Sequence, residues 1–344
     1  MEIHTIGIDL GKTIFHLVGL NSRGEVVVRK KFSRLQLLRF TANRQVCLIG
    51  MEACGGSHFL GRALREQGHE VRLIPAQYVK PYVKTNKNDF IDAEAIAEAV
   101  GRPSMRFVPI KTDDQLDMQS LHRVRERWVT RRTAVVNQMR GLLLERGITL
   151  PKGRCHLEAA LPMLLKDGDA KLSGVVWLLL AQLKLELEQL AERVEEADAL
   201  IRHLAQESDV CRRLDAIPGI GPITATALIA AIGNGAAFRK GRDFAAWVGI
   251  VPREHSTGGK QKLLGISKRG NCYLRKLLVQ GARAVLQFKE KQSSGLSTWL
   301  IQLASRTHYN VVGVVLANKL ARIAWAALTT GEVYRPALVA SAPA

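Results

Sequence analysis

The first 75 residues alternate short apolar runs with turn residues in an order that few folds accommodate. Runs at 3–9, 14–20 and 25–32 are joined by short connections, the second being Asn21-Ser22-Arg23-Gly24, and predict a three-stranded antiparallel meander. A helix over 35–42, a strand over 46–51, a helix over 57–67 closed by Gly68 and a strand over 70–74 follow. Hairpin strands followed by strand-helix-strand units predict a mixed α/β sheet with helices packed on it.

In a ribonuclease-H-like sheet of this kind the first and fourth strands are neighbours, which gives the acids of the segment a meaning. Asp9 ends the first strand in "GIDLGK", Glu52 lies just past the fourth in "IGMEACGG", and Asp89 and Asp92 stand in "KNDFIDAEAIAEA". A spacing of three puts the two aspartates on one face of a helical turn. Four carboxylates meeting at one point repel one another unless divalent cations lie between them. Oxygen ligands suit Mg²⁺, with Mn²⁺ as its substitute, and a metal pair would clamp a phosphate. Taken singly each acid has a plainer reading: an Asp at a strand end is more often a turn residue, and Asp89 could simply cap the helix after it. Asp9-Leu10-Gly11-Lys12-Thr13 also resembles the phosphate loop of actin and sugar-kinase ATPases. No second phosphate loop accompanies it.

Charge separates these readings. The 344 residues, enough for two domains, carry 50 Lys and Arg against 31 Asp and Glu, a net charge of +19. A small-molecule kinase has no need of that surplus, whereas a nucleic-acid partner explains it. The five cysteines form no CxxC and no zinc-finger spacing, so disulfide and structural-zinc scaffolds are not expected. "MEIHTIGIDLGK" is no signal peptide, and the apolar 310–328 stretch is interrupted by Lys319 and Arg322. The expectation is a cytoplasmic, nucleoid-associated protein with no membrane partner.

Residues 112–147 read as one long helix with an apolar stripe from Leu116 to Leu142, and Arg123, Arg127 and Arg131 off it as a face for polynucleotide backbone. Leu180, Leu183, Leu187, Leu190, Val194, Ala197, Ile201 and Leu204 keep a heptad spacing. That seam predicts a coiled coil and a homodimer through it, with an intramolecular helical hairpin as the alternative. "LDAIPGIGPITATALIAAIG" (214–233) has the form of a helix-hairpin-helix, in which Gly219 and Gly221 would let backbone amides approach phosphate. In "REHSTGGKQKLLGISKRGN" (253–271), Arg253, Lys260, Lys262, Lys268 and Arg269 surround Gly258-Gly259 with almost no balancing acid. Adjacent strand residues point to opposite faces, which gives His255 little claim to act on Ser256. Helices are expected over 271–302 and 310–329, then a loose tail at 335–344.

In their order, "GIDLGK", "EACGGS", "KNDFIDAEAIAE", "AIPGIGPITATALIAAIG", "FAAWVGIVPREHSTGGKQKLLGISKRGN" and "YLRKLLVQGARAV" resemble the DEDD transposases of the insertion-sequence "one-ten" family. The likeness runs from about residue 3 to 334. It implies a RuvC-like catalytic domain (1–111), a long basic helix and coiled-coil linker (112–209), a mainly α C-terminal transposase domain (210–334) and a tail (335–344). It also implies Mg²⁺ on Asp9, Glu52, Asp89 and Asp92, and Ser256 as the nucleophile of a phosphoserine link to DNA, Thr257 being the residue most easily confused with it. Recognition of donor and target DNA would pass to a structured guide RNA, with a tetramer at synapsis and a serine that completes another protomer's acid cluster. Lys12, Lys84 and Lys87 join the expected nucleic-acid contacts. Cys54 departs from the family, where many relatives have a hydroxyl residue. Two further classes remain open: a metal-dependent structure-specific nuclease with water as nucleophile, and a non-catalytic nucleic-acid scaffold.

Overall fold

Five strands and four helices build the first of two units into which the chain divides, the unit that ends at Asp113. The computed structural model describes residues 2–84, 88–166, 172–292 and 294–336. In chain order the elements are β1 (Thr5–Leu10), β2 (Ile14–Leu20), β3 (Val26–Ser33), α1 (Arg34–Ala42), β4 (Leu48–Glu52), α2 (Ser57–Glu66), β5 (Glu70–Ile74), α3 (Ala76–Val79) and α4 (Asp89–Val100). The sheet runs β3-β2-β1-β4-β5, with β1 antiparallel to β2 and parallel to β4. The expected strands stand within two residues of their places.

Side-chain alternation sorts this unit into layers. Ile6 and Ile8 of β1 and Ile49 and Met51 of β4 point to one face, where Leu37 of α1 and Leu60 and Leu64 of α2 cover them. The intervening positions face α4. There Gly7 and Gly50 stand side by side in register, and a Cβ on Gly7 would lie 2.1 Å from the Ala93 carbonyl oxygen. Only glycine lets α4 approach so closely, and its alanines Ala93 and Ala97 complete the contact. Asp9 and Glu52, two residues beyond the glycines, are therefore aimed at the α4 side.

The second unit, from Asp114 onward, is mainly helical. It comprises α5 (Asp113–Leu144), α6 (Arg154–Leu164), α7 (Gly174–Glu207), α8 (Asp209–Asp215), α9 (Pro222–Ile232), α10 (Gly241–Val248), the hairpin β6 (Pro252–Glu254) and β7 (Leu263–Ile266), then α11 (Cys272–Gln287), α12 (Ser294–Ala304) and α13 (Tyr309–Thr330). The helix expected over 271–302 is interrupted between α11 and α12. The polar run Lys289-Glu290-Lys291 supplies no apolar residue to continue the buried stripe of α11, and it forms a single 3-10 turn. The helix α13 is long and apolar enough to cross a membrane, yet Val312, Leu316, Ala317, Leu320 and Ala324 are buried with α10 and α11 in the core of this unit.

The heptad seam finds its partner within the chain. Leu180, Leu187 and Leu190 of α7 are buried with Val135, Val136, Met139 and Leu143 of α5 and Leu157 and Leu161 of α6. Farther along, Val194, Ala197 and Ile201 are also buried. A half-buried Arg125–Asp198 ion pair ties α5 to α7. This corrects the coiled-coil expectation: a 3-4 apolar spacing specifies a helical partner but not which chain supplies it. A dimer through this seam would have to displace a packed hairpin. Buried His122 adds a polar tie, with Nδ1 3.0 Å from the Tyr273 hydroxyl and Nε2 3.0 Å from that of Thr226, so α5, α9 and α11 share one network.

Candidate active site and nucleic-acid interface

In the first unit the four acids of the sequence pattern converge. Asp9 and Glu52 reach the α4 side by strand alternation, and Asp89 and Asp92 occupy the first turn of α4. The cap of that helix is Asn88, whose side chain accepts from the Phe90 amide at 2.9 Å. Asp89 is thus not needed as a cap, which removes its plainer reading. Burial, then the charges of Asp92 and Asp89, push the Asp9 carboxyl above the usual carboxylate range, while His16 pulls the other way. Burial, then Asp9 and Asp92, raise Glu52 likewise. Each of these shifts has another member of the set among its causes, the signature of like charges sharing a small volume.

The donors present are carboxylate oxygens, the set that a hard divalent cation prefers. Among the described residues no three His, Cys, Asp or Glu side chains are drawn together tightly enough to hold an ion as they stand. Donor chemistry and convergence fit a metal; the arrangement is open, with the repulsion that a cation would relieve still in place. His16 is a neighbour that the pattern search missed: it pairs with Asp9 across β1 and β2, its Nδ1 lies 3.5 Å from Asp89 Oδ2, and its ring meets Phe90 edge-on. Its β2 position opposite Asp9 is the signal that could have found it. Burial, then Glu52 and Asp9, raise the Cys54 thiol, which disfavours a thiolate there.

The cationic stretch of the second unit is a hairpin. Thr257 and Lys260 exchange backbone hydrogen bonds of 3.3 and 3.0 Å around Gly258-Gly259, whose φ values of 55° and 76° demand glycine. Arg253, Lys260, Lys262, Lys268 and Arg269 are exposed, and among the described residues none of them forms an ion pair. Ser256 is exposed among them. Its hydroxyl donates to Glu254 Oε1 at 2.6 Å and accepts from the Lys262 amide at 3.3 Å. The His255 backbone amide binds the Lys262 carbonyl instead, at 2.9 Å. Glu254 went unnoticed in the sequence, although it lies two residues from Ser256, where strand alternation puts both on one face.

The remaining expected contacts divide. Lys12 is exposed on the β1–β2 turn close after Asp9. Lys84 is 2.5 Å from Glu98 Oε1, so its charge is already matched, and Lys87 lies outside the described residues. Arg123, Arg127 and Arg131 line the exposed side of α5, although Arg131 pairs with Glu186 at 2.8 Å. Gly219 corrects an expectation: a Cβ there would lie 2.7 Å from the Gly281 carbonyl oxygen, so α11 occupies the space that a phosphate would need. Gly221, which precedes α9, has open space beside it.

Comparison with known proteins agrees with this architecture. A family model described as "Transposase" matches residues 6–147, and one described as "Transposase IS116/IS110/IS902 family" matches residues 211–296. The chain is 47% identical to a "Probable family 20 transposase" of Pseudomonas aeruginosa, over 98% of this chain and all of that protein. It is 46% identical to the "Transposase for insertion sequence element IS1328" of Yersinia enterocolitica, over 97% of this chain and 99% of that one. For the "Transposase for insertion sequence element IS1111A" of Coxiella burnetii the identity is 41%, over 97% and 92%. The chain belongs to the IS110 family of transposases and is a DNA strand-transfer enzyme.

Proposed function

We propose that this transposase cuts and rejoins donor and target DNA through a covalent Ser256–phosphate link, under the direction of a structured guide RNA. The observation that carries the catalytic part is the convergence of Asp9, Glu52, Asp89 and Asp92 on the α4 side of the sheet, with two of the four carboxyls raised by their neighbours. The strand order β3-β2-β1-β4-β5 supports a ribonuclease-H-like, RuvC-like assignment for the first unit. These four acids would hold Mg²⁺ or Mn²⁺, which when bound neutralises charge on a phosphate.

Ser256 attacks phosphorus with its Oγ, and Glu254, already accepting that hydroxyl's hydrogen bond, takes the proton. One phosphoester bond forms as the bond to the leaving deoxyribose oxygen breaks. The exchange with a second strand then needs no external energy. Unpaired Arg253, Lys260, Lys262, Lys268 and Arg269 hold the backbone around it, and the turn at Gly258-Gly259 keeps the hairpin tip free of side-chain bulk. The enzyme works in the cytoplasm on the nucleoid, as a homo-oligomer with two or more active centres at synapsis. Because the α7 seam is filled by α5, the subunits meet through other surfaces.

One observation favours a second reading. A serine that accepts from the Lys262 amide and donates to Glu254 is also what a turn needs to hold its shape, and a nuclease using water would leave it that role. Incubation with guide RNA, Mg²⁺ and a nicked substrate that traps the cleaved end distinguishes the two on a denaturing gel. A protein-linked DNA band that Ser256→Ala, Asp9→Asn and chelation each remove supports the covalent route. Mg²⁺-dependent cutting that yields only free DNA ends supports the nuclease.

A further inference from the structure

A second cationic site lies in the second unit, away from the hairpin along the sequence. Where α5 meets the loop before α6, a cavity of about 430 Å³ is lined by Arg132, Asn137, Arg140, Lys152, Gly153 and Arg154. That volume falls in the range of small-ligand clefts, roughly 300–1,000 Å³. Four of these residues are cations and none is an acid.

Each cation has a distinct situation. The Arg140 guanidinium donates to the carbonyls of Leu150, Pro151 (2.8 Å) and Gly153 (3.5 Å), so it fixes the loop that forms one wall without spending its charge on a carboxylate. Arg132 is half-buried and has no ion-pair partner among the described residues; burial, then the neighbouring charges of Arg154 and Arg125, lower its affinity for its own proton. Lys152 is exposed and unpaired, and Arg154 has Glu158 at 3.4 Å on its outer side. Cations held together by a fixed loop, and repelling one another, make a preformed anion site. The exposed Arg123, Arg127 and Arg131 recur every four residues on the same helix, roughly 6 Å apart along its axis. A row of cations leading to a cavity fits a chain of phosphates better than one free anion.

We propose that this cavity seats a backbone phosphate of a polynucleotide, and that Arg132, Lys152 and Arg154 bind it while Arg140 holds the loop in shape. The proposal rests on the nucleic-acid reading of the enzyme, and it names a contact surface separate from the Ser256 hairpin. DNA and RNA share the phosphodiester, so the test uses both.

Fluorescence anisotropy of the full chain, titrated against a short duplex DNA and a short RNA stem-loop of unrelated sequence, should be followed from roughly 50 to 200 mM salt. For Arg132→Gln/Lys152→Gln/Arg154→Gln, binding to at least one probe should weaken about tenfold or more near 50 mM. Its salt slope should fall by about 1 to 2, at 0.7–0.9 for each phosphate released. Loss on the stem-loop alone identifies RNA as the occupant; loss on the duplex alone identifies DNA. Asp9→Asn, outside this surface, should bind like the wild type. If the triple variant melts early, Lys152→Glu, at an exposed position, carries the same test. Equal affinity and slope for variant and wild type on both probes would overturn the proposal while leaving the transposase reading intact. A wild type that binds neither probe would overturn both.

Discussion

Ser256 and Glu254 share one face of a three-residue strand, and their 2.6 Å hydrogen bond turns an exposed hydroxyl into one with a proton acceptor in place. Ser256→Ala should abolish strand cleavage with DNA affinity unchanged. Glu254→Gln keeps a hydrogen-bond partner but accepts no proton, and should slow adduct formation by roughly 10²-fold or more, within the range for general-base catalysis. A Glu254→Gln rate equal to wild type, measured in single turnover, would reduce that carboxylate to a turn contact. The acid cluster makes a prediction of opposite sign for stability. Asp9 is raised from its ordinary 3.8 by burial and then by Asp92 and Asp89, so its ionised form disfavours the folded state. The stability it contributes is present below 3.8 and is lost as pH rises through the raised value. Metal-free Asp9→Asn should therefore melt above wild type at neutral pH and show no gain below pH 3.8. Mg²⁺ should raise the melting temperature of wild type more than that of the variant. Much of this was legible in the sequence, since alternation from the core residues Ile8 and Met51 fixes the direction of Asp9 and Glu52. Lys84 was misjudged because its partner, Glu98, becomes a neighbour only once α4 has docked.

At the scale of elements, the α7 heptads show where periodicity stops being informative. Leu180, Leu187 and Leu190 announced a helical seam, but only the presence of α5 and α6 in the same chain decides that it closes internally. Leu190→Ala should destabilise the monomer by about 2–5 kcal/mol, the cost of a buried cavity, and leave any subunit equilibrium at matched folded fraction untouched. Light scattering together with denaturant melts separates this from a dimer seam, which would dissociate first. His122 gives the same helices a pH dependence. Burial, aided by Arg125, lowers it to about 4 from an ordinary 6.5, so the folded state holds it neutral between its two hydroxyl partners. Its contribution is intact above pH 6.5 and is lost as pH falls from there towards 4. His122→Gln should flatten the loss of stability across that window, read from melting temperatures. The Gly219 turn was legible as a turn but not as a contact, because the residue that fills its open side, Gly281, lies on α11, far away in sequence.

For the molecule as a whole, the charge of +19 was the broadest clue, and its distribution gives it meaning. Acids gather on the first unit beside α4, while unpaired cations collect on the hairpin of the second. If the serine of one protomer serves the acids of another, mixing Ser256→Ala with Asp9→Asn protein should restore part of the activity that each lacks. Mixtures as inactive as their components would show that each chain uses its own serine and acids. The central claim, that DNA becomes attached to Ser256, is open to a direct measurement: proteolysis of the complex trapped on a nicked substrate, followed by mass spectrometry of the DNA-linked peptide. The account predicts a nucleotide phosphate on Ser256, absent from reactions with chelator. A modification on Thr257, or complete cutting with no DNA-linked peptide, would contradict it.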